Sequence, residues 1–243
     1  MQTANQENDN KKANVEKYLH SEERKKYVTH PSKIYKTKNF RRRCKYLVGK
    51  GDKILDIGGG AGIWTDIIRE AGITDDIYAV DISESILKER NSKDISKVGD
   101  MEHIPFPDKY FDRALFIASL HHVGNTQRAL SEAIRVVKPH GYIVFYEPVS
   151  LRLLLLGRGI EPTADKVEFC FSISYVLKNL KKSSLKIVFI EYEGFLTRFL
   201  GRKAGVKTLL FFSRIEMWIG KIPLISKLFG IFANAVTIVA QKD

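Results

Sequence analysis

The spacing of apolar residues along this chain changes several times, and each change marks an element. From Val15 to about Lys26 an amphipathic pattern, with Tyr18 and Leu19 on one side, predicts a helix. His30-Pro31 breaks it, because proline disfavours helical backbone in the residue before it. A second helix is expected over Tyr35–Val48, and Gly49-Lys50-Gly51-Asp52 reads as a turn. Short apolar runs then alternate with amphipathic stretches. The runs predict strands at Lys53–Ile57, Asp76–Asp81, Ile95–Gly99, Asp112–Ala118 and Tyr142–Tyr146. Between them lie helices at Ile63–Ala71, at Ser83–Asn91 with Ser83 as N-cap, and at Thr126–Val137.

Strands alternating with short helices imply right-handed βαβ units and a parallel sheet. After Pro148 the pattern changes. Ser174–Lys182 reads as a helix and Leu185–Tyr192 as a buried strand. Lys207–Phe232 is an apolar stretch broken at Pro223, and Ala235–Gln241 is a closing strand. The expected fold class is α/β: a Rossmann-like, doubly wound, mostly parallel seven-stranded sheet with helices on both faces and a late antiparallel strand. The expected organisation is a disordered tail (1–13), a helical cap (14–50), a core (51–148) and a C-terminal part of the same domain (149–243).

Charge sharpens this division. The net charge of +12 is unevenly spread. Residues 1–50 carry 14 Lys and Arg against 5 acids, residues 51–148 carry 11 against 16, and residues 149–243 carry 15 against 7. An acidic block therefore lies between two basic flanks. That asymmetry fits an acidic partner or a membrane surface as well as a plainly solvated exterior. The two cysteines, Cys44 and Cys170, have no CxxC or Cys/His spacing, which argues against a disulfide framework and a structural zinc site. No metal is expected. The polar N-terminus lacks the apolar core of a signal peptide, so a cytoplasmic setting is expected.

The stretch KILDIGGGAGIWTDIIRE holds the candidate chemistry, with four glycines within five positions between a strand and a helix. A glycine turn there lets the backbone swing sharply and lets a ligand approach the free N–H groups of the helix that follows. The dinucleotide template G-x-G-x-x-G, begun at Gly58, needs glycine at 63, where Ile63 stands. The pattern is instead Asp56-x-Gly58-x-Gly60-x-Gly62. A carboxylate at Asp56 opposes a pyrophosphate and favours a cationic ligand.

ILDIGGGAG resembles the first motif of the class I S-adenosylmethionine-dependent methyltransferases, and three further stretches resemble that family in order and spacing. AVDIS puts Asp81-Ile82 where the family's acid holds the ribose hydroxyls. GDMEHIPFPDKYFD puts Asp100-Met101 where the family binds adenine, and Phe111-Asp112 at the start of the fourth strand. RVVKPHGYIVFYEP resembles the family's segment into the fifth strand, with His140-Gly141-Tyr142 in place of a second glycine. The resemblance covers roughly residues 50–148 and is strongest to small-molecule methyltransferases of the type-11 kind. It implies S-adenosyl-L-methionine as cofactor, with Ala118 and Ser119 near its methionine half. Asp81 also reads as a neighbour of a helix cap, and Asp100 as a simple turn residue.

Methyl transfer from a sulfonium needs alignment and exclusion of water, and a base only if the acceptor must lose a proton. In ALFIASLHHVGN, His121 and His122 fall beside the reaction centre by position. One of them serves as base or orients the acceptor, or else the Leu-His-His-Val run is a structural link. Glu147, after the fifth strand, is a second candidate for contacting the acceptor. Tyr18 is a candidate lid residue, against the alternative of packing.

The acceptor itself is expected to be a small or lipid-like molecule. No Asn/Asp-Pro-Pro-Tyr/Phe follows the fourth strand and no Pro-Cys nucleophile is present, so nucleic acid is the weaker reading. LRLLLLGRG and LFFSRIEMWIGKIPLISKLFGIF mix bulky apolar residues with Lys and Arg, which suits either peripheral attachment to an anionic membrane or an ordinary core and cap. The uncharged stretch Leu228–Ala240 has 13 residues, too few to span a bilayer. Two alternatives remain: an RNA or protein methyltransferase using the basic flanks, and a non-catalytic cofactor-binding scaffold docked on a membrane or partner. Ile63 and Asp56 disfavour a nicotinamide oxidoreductase.

Overall fold

The computed structural model describes residues 31–149, 173–194, 205–219, 233 and 235–243. The expected tail, the helix at Val15–Lys26 with Tyr18, Cys170 and the LRLLLLGRG segment lie outside the described residues.

The first described helix, α1, is Pro31–Leu47. It opens four residues before the expected Tyr35, at a proline suited to the first helical position, where no N–H is needed. The core then alternates: β1 Ile54–Ile57, α2 Ile63–Glu70, β2 Ile77–Asp81, α3 Glu84–Leu87, β3 Ile95–Val98 and β4 Phe111–Ile117. A short 3-10 turn at Leu120–His122 leads into α4 Thr126–Val136 and β5 Val137–Pro148. The last elements are α5 Ile173–Lys181, β6 Leu185–Glu193, α6 Val206–Ile219 and β7 Ala235–Lys242. Ser83 caps α3 as expected, its hydroxyl accepting from the Ile86 N–H at 3.3 Å. That helix stops at Leu87 rather than reaching Asn91. The chain turns there, and the Arg90 side chain enters the interior.

The seven strands form one sheet in the order β3-β2-β1-β4-β5-β7-β6. Neighbours from β3 to β5 are parallel, while β7 pairs antiparallel with β5 and with β6. The late antiparallel strand is thus β7, wedged between its two neighbours. This placement corrects one expectation. The apolar run of β6 lies at the sheet edge and is not buried, with Val188, Phe189 and Ile190 exposed. The more deeply buried β7 takes the inner position instead.

Both faces of the central strands are covered, which is why those strands are almost continuously apolar. Side chains alternate between the faces. Leu55, Ile57, Phe116, Phe145 and Ile238 pack toward α4 and α5, against Leu130, Ala133, Val176 and Leu180. Ile54, Leu115, Val144 and Val239 pack toward α1 and α2, against Phe40, Cys44, Leu47, Trp64 and Ile68. Phe116 and Phe145 stack with ring centroids 5.5 Å apart. A polar seam joins α1, β6 and α6. Arg43 pairs with Glu191 and Glu193, the Asn39 amide donates to Glu193 at 2.9 Å, and Ser213 donates to Asn39 at 3.4 Å.

Phe145 has no exposed surface and sits at the centre of the larger cluster. Phe145→Ala is expected to destabilise the fold by about 3–5 kcal/mol, read as a lowered urea midpoint.

Candidate active site

In this sheet β2 and β3 lie to one side of β1, and β4 and β5 to the other. The chain order reverses between β1 and β4, and the carboxyl ends of the strands there open a crevice suited to a ligand. The residues singled out from the sequence in the core collect at that end: Asp56 to Gly62 after β1, Asp81 and Ile82 after β2, Asp100 and Met101 after β3, Ala118 to His122 after β4, and Glu147 near the end of β5.

Gly58, Gly60 and Gly62 all adopt left-handed backbone, with φ of 66°, 53° and 78°. Gly58 is fixed twice over, since a Cβ there would also lie 2.9 Å from the Ser119 Cβ and 3.0 Å from the Met101 Cε. The glycine loop, the β3 end and the β4 end therefore meet at Gly58. Gly59 answers to a different constraint: a Cβ would lie 1.8 Å from the Asp56 Oδ2.

Asp56 itself is fully buried. Burial pushes its carboxyl above the usual range, and the neighbouring Arg90 guanidinium works against that rise. Arg90 was not visible as a site residue in the sequence. Its Nη1 donates to Asp56 Oδ2 and to the Gly60 carbonyl, both at 3.0 Å. Nη2 donates to Thr65 at 2.8 Å and Nε to Asp94 at 2.9 Å. Burial disfavours the Arg90 charge, but Asp56 and Asp94 more than offset this and raise its pKa. The only signal in the sequence was indirect, an acid in a strand that needs a buried cation. Asp56 Oδ1 has no hydrogen-bond partner.

Asp81 accepts one backbone N–H on each oxygen, from Gly60 to Oδ2 and from Ser83 to Oδ1, both at 3.0 Å. Each oxygen keeps a lone pair for a hydroxyl. Burial raises the Asp81 pKa, opposed by those N–H donors. Asp100 bonds within its own turn, Oδ1 accepting from the Glu102 N–H at 2.9 Å. Ile82 and Met101 are half-buried.

The β4 end is organised by Glu147. Its Oε1 accepts from the backbone N–H of Ser119 at 3.0 Å and of Leu120 at 2.9 Å, while Oε2 lies 2.6 Å from His121 Nδ1. Glu147 is fully buried, so the expectation that it touches the acceptor gives way to a role holding the loop. Ala118 takes a left-handed φ of 54°, and the Ser119 hydroxyl is buried with no hydrogen-bond partner. His121 is buried and His122 exposed, with ring centroids 4.0 Å apart.

These features fit S-adenosylmethionine. Asp81 offers acceptors for a ribose diol, the glycine loop clears space at the N-terminus of α2, and the Ser119 hydroxyl and Asp56 Oδ1 are unmet polar groups beside it. Arg90→Ala should leave Asp56 buried without its cation, while Asp94 keeps Arg69. The expected loss is about 3–5 kcal/mol of stability by chemical denaturation.

Known proteins resemble this chain in sequence and in fold. A family model described as a methyltransferase domain of the type-11 kind matches residues 55–145. The ubiquinone/menaquinone biosynthesis C-methyltransferase UbiE of Cupriavidus pinatubonensis is 37% identical over 108 residues, covering 41% of this chain and 44% of that protein. The chain thus matches less than half the length of that relative. Among solved structures, an S-adenosylmethionine-dependent methyltransferase of Thermotoga maritima superposes with a TM-score of 0.64 at 17% identity, covering 96% of this chain and 100% of that one. The [4+2]-cyclase SpnF superposes at 0.59 with 18% identity, covering 84% and 80%. At such identities the structural likeness speaks to the fold, and a cyclase among these neighbours shows that the fold alone does not fix the reaction. Residues 55–145 thus match a methyltransferase domain, and over that span the chain is similar to the class I S-adenosylmethionine-dependent methyltransferases.

Proposed function

We propose that this protein transfers the methyl group of S-adenosylmethionine to a small, lipid-like acceptor with an acidic hydroxyl or an electron-rich ring carbon, of which a hydroquinone is the model. The names of the sequence relatives, quinone-biosynthesis C-methyltransferases, support that acceptor class. When bound, the cofactor supplies a methyl group activated by a positive sulfur, which departs as a neutral thioether as the acceptor's electron pair takes the methyl.

The observation that carries the reading is the pair formed by Glu147 and His121. A carboxylate can only accept, so His121 Nδ1 carries the proton in this hydrogen bond and Nε2 keeps its lone pair. His121 is then oriented as a base, able to take the proton that an acceptor hydroxyl or ring carbon gives up. Glu147 is a positioning residue, because its contacts run to the Ser119, Leu120 and His121 groups of the chain itself. Ser119 and Gly58 hold the reacting end, and Asp81 holds the sugar.

Calorimetric titration of the protein with S-adenosylmethionine is expected to show micromolar binding, with NADH inert and Asp81→Ala defective. Because the Asp81 pKa is raised, affinity should begin to fall at a pH above that of an ordinary aspartate as the solution is acidified. Asp81→Asn should flatten that dependence. Absence of binding by folded protein would remove the methyl-transfer reading. With a soluble hydroquinone and labelled cofactor, His121→Ala should lower kcat by about 100- to 10,000-fold while leaving cofactor affinity essentially unchanged. Unaltered turnover in that variant would reject the base assignment.

A further inference from the structure

The helix α6 has its faces reversed relative to an ordinary surface helix. Among its described side chains the buried ones are Leu209, Ser213 and Glu216, two of them polar. Ser213 is engaged with Asn39 of α1, and Glu216 accepts from the Gly194 N–H at 3.2 Å. Its exposed positions include Lys207, Phe211, Arg214 and Trp218, spaced four, three and four residues apart and so aligned on one face. Phe211 is 59% exposed and Trp218 73% exposed. Leu210, Phe212 and Ile215 are half-buried beside them.

The neighbouring helix extends this surface. α1 packs beside α6, carries seven Lys and Arg with no Asp or Glu, and exposes Lys38, Lys45 and Tyr46, the last at 81%. The single acid of α6 is the buried Glu216. The outward side of the two helices is therefore basic and aromatic, without an acid among the described side chains.

We propose that this outward face of α1 and α6 docks on an anionic lipid surface. Phe211 and Trp218 have the size and shape to enter the interfacial zone, where aromatic rings are favoured. Lys207 and Arg214 share their face, and Lys38 and Lys45 are exposed on the neighbouring α1, to meet the headgroup charge, each basic residue near such a surface adding to the attraction. A second copy of this chain fits less well, since it would bring two like-charged faces together. No described helix is long and apolar enough to cross a membrane, which is compatible with a side-on attachment. The proposal goes beyond the methyl-transfer reading and does not depend on it, and its test needs no turnover.

The test is co-sedimentation of the full chain with vesicles of phosphatidylcholine, with and without phosphatidylglycerol, together with tryptophan emission. Trp64 is buried and supplies a constant background, so a blue shift on adding vesicles reports Trp218. The expected result is binding that requires phosphatidylglycerol, weakens with salt and shifts the emission. The Lys207→Glu/Arg214→Glu and Phe211→Ser/Trp218→Ser variants should each lower partitioning at least about tenfold, with unchanged thermal unfolding, because these side chains are exposed. Three results would overturn the proposal: equal partitioning of the folded variants and the wild type, a dimer in sedimentation velocity that the variants abolish, or binding of an RNA oligonucleotide in place of vesicles.

Discussion

A carboxylate placed near the end of a fully buried strand has to be answered by a cation, and much of the carboxyl end of this sheet follows from that requirement. Asp56 lies on β1, an inner strand with both faces covered, where water cannot solvate a charge. Arg90 meets it from the segment after α3. The same guanidinium reaches the carbonyl of Gly60, the hydroxyl of Thr65 and the carboxylate of Asp94. The glycine loop, the first turn of α2 and the approach to β3 are thereby fastened to one group. Gly59 belongs to the same constraint, since only a residue without a side chain can lie against the Asp56 carboxylate.

The end of β5 repeats the device with a different counterpart. Glu147 is as deeply buried as Asp56, but it is satisfied by two backbone N–H groups and an imidazole rather than by a guanidinium. Hydrogen bonds of this kind are strong because one partner is charged and the surroundings are of low dielectric. They hold a loop whose Ala118 sits in a backbone region that L-residues enter at a cost. Two buried acids thus flank the crevice. One sets the glycine loop after β1, and the other sets the loop that carries the histidines.

The sequence announced the alternating core well, because β1, β2 and β5 are apolar runs ended by glycine, an acid or proline, and the helices between show their own period. Asp81, with its two backbone donors, ends β2, a strand that the alternation predicts. Other features were less legible. Arg90 sits among Lys88, Glu89 and Asn91 and reads as a solvated helix residue, since nothing local reveals that the chain turns inward there. Glu147 was visible as a polar residue closing a strand, but its burial depends on how β4 and β5 are aligned, which is not a local property. The apolar run of β6 could equally have belonged to an inner strand. Its place at the edge was decided by β7, a competitor of similar composition some fifty residues further on.

That edge position has a consequence for the molecule outside its reaction. A sheet margin carrying Val188, Phe189 and Ile190 in the open is a template on which another extended chain can add itself, the first step toward ordered aggregates. The pairing of β6 with β7 is interrupted by a register shift between Ile187 and Phe189. Such a bulge coils the strand and spoils the even row of free amide and carbonyl groups that an intruding strand would need. The irregularity beside the exposed valine and phenylalanine works as a guard against self-templating, built into the segment that most requires it.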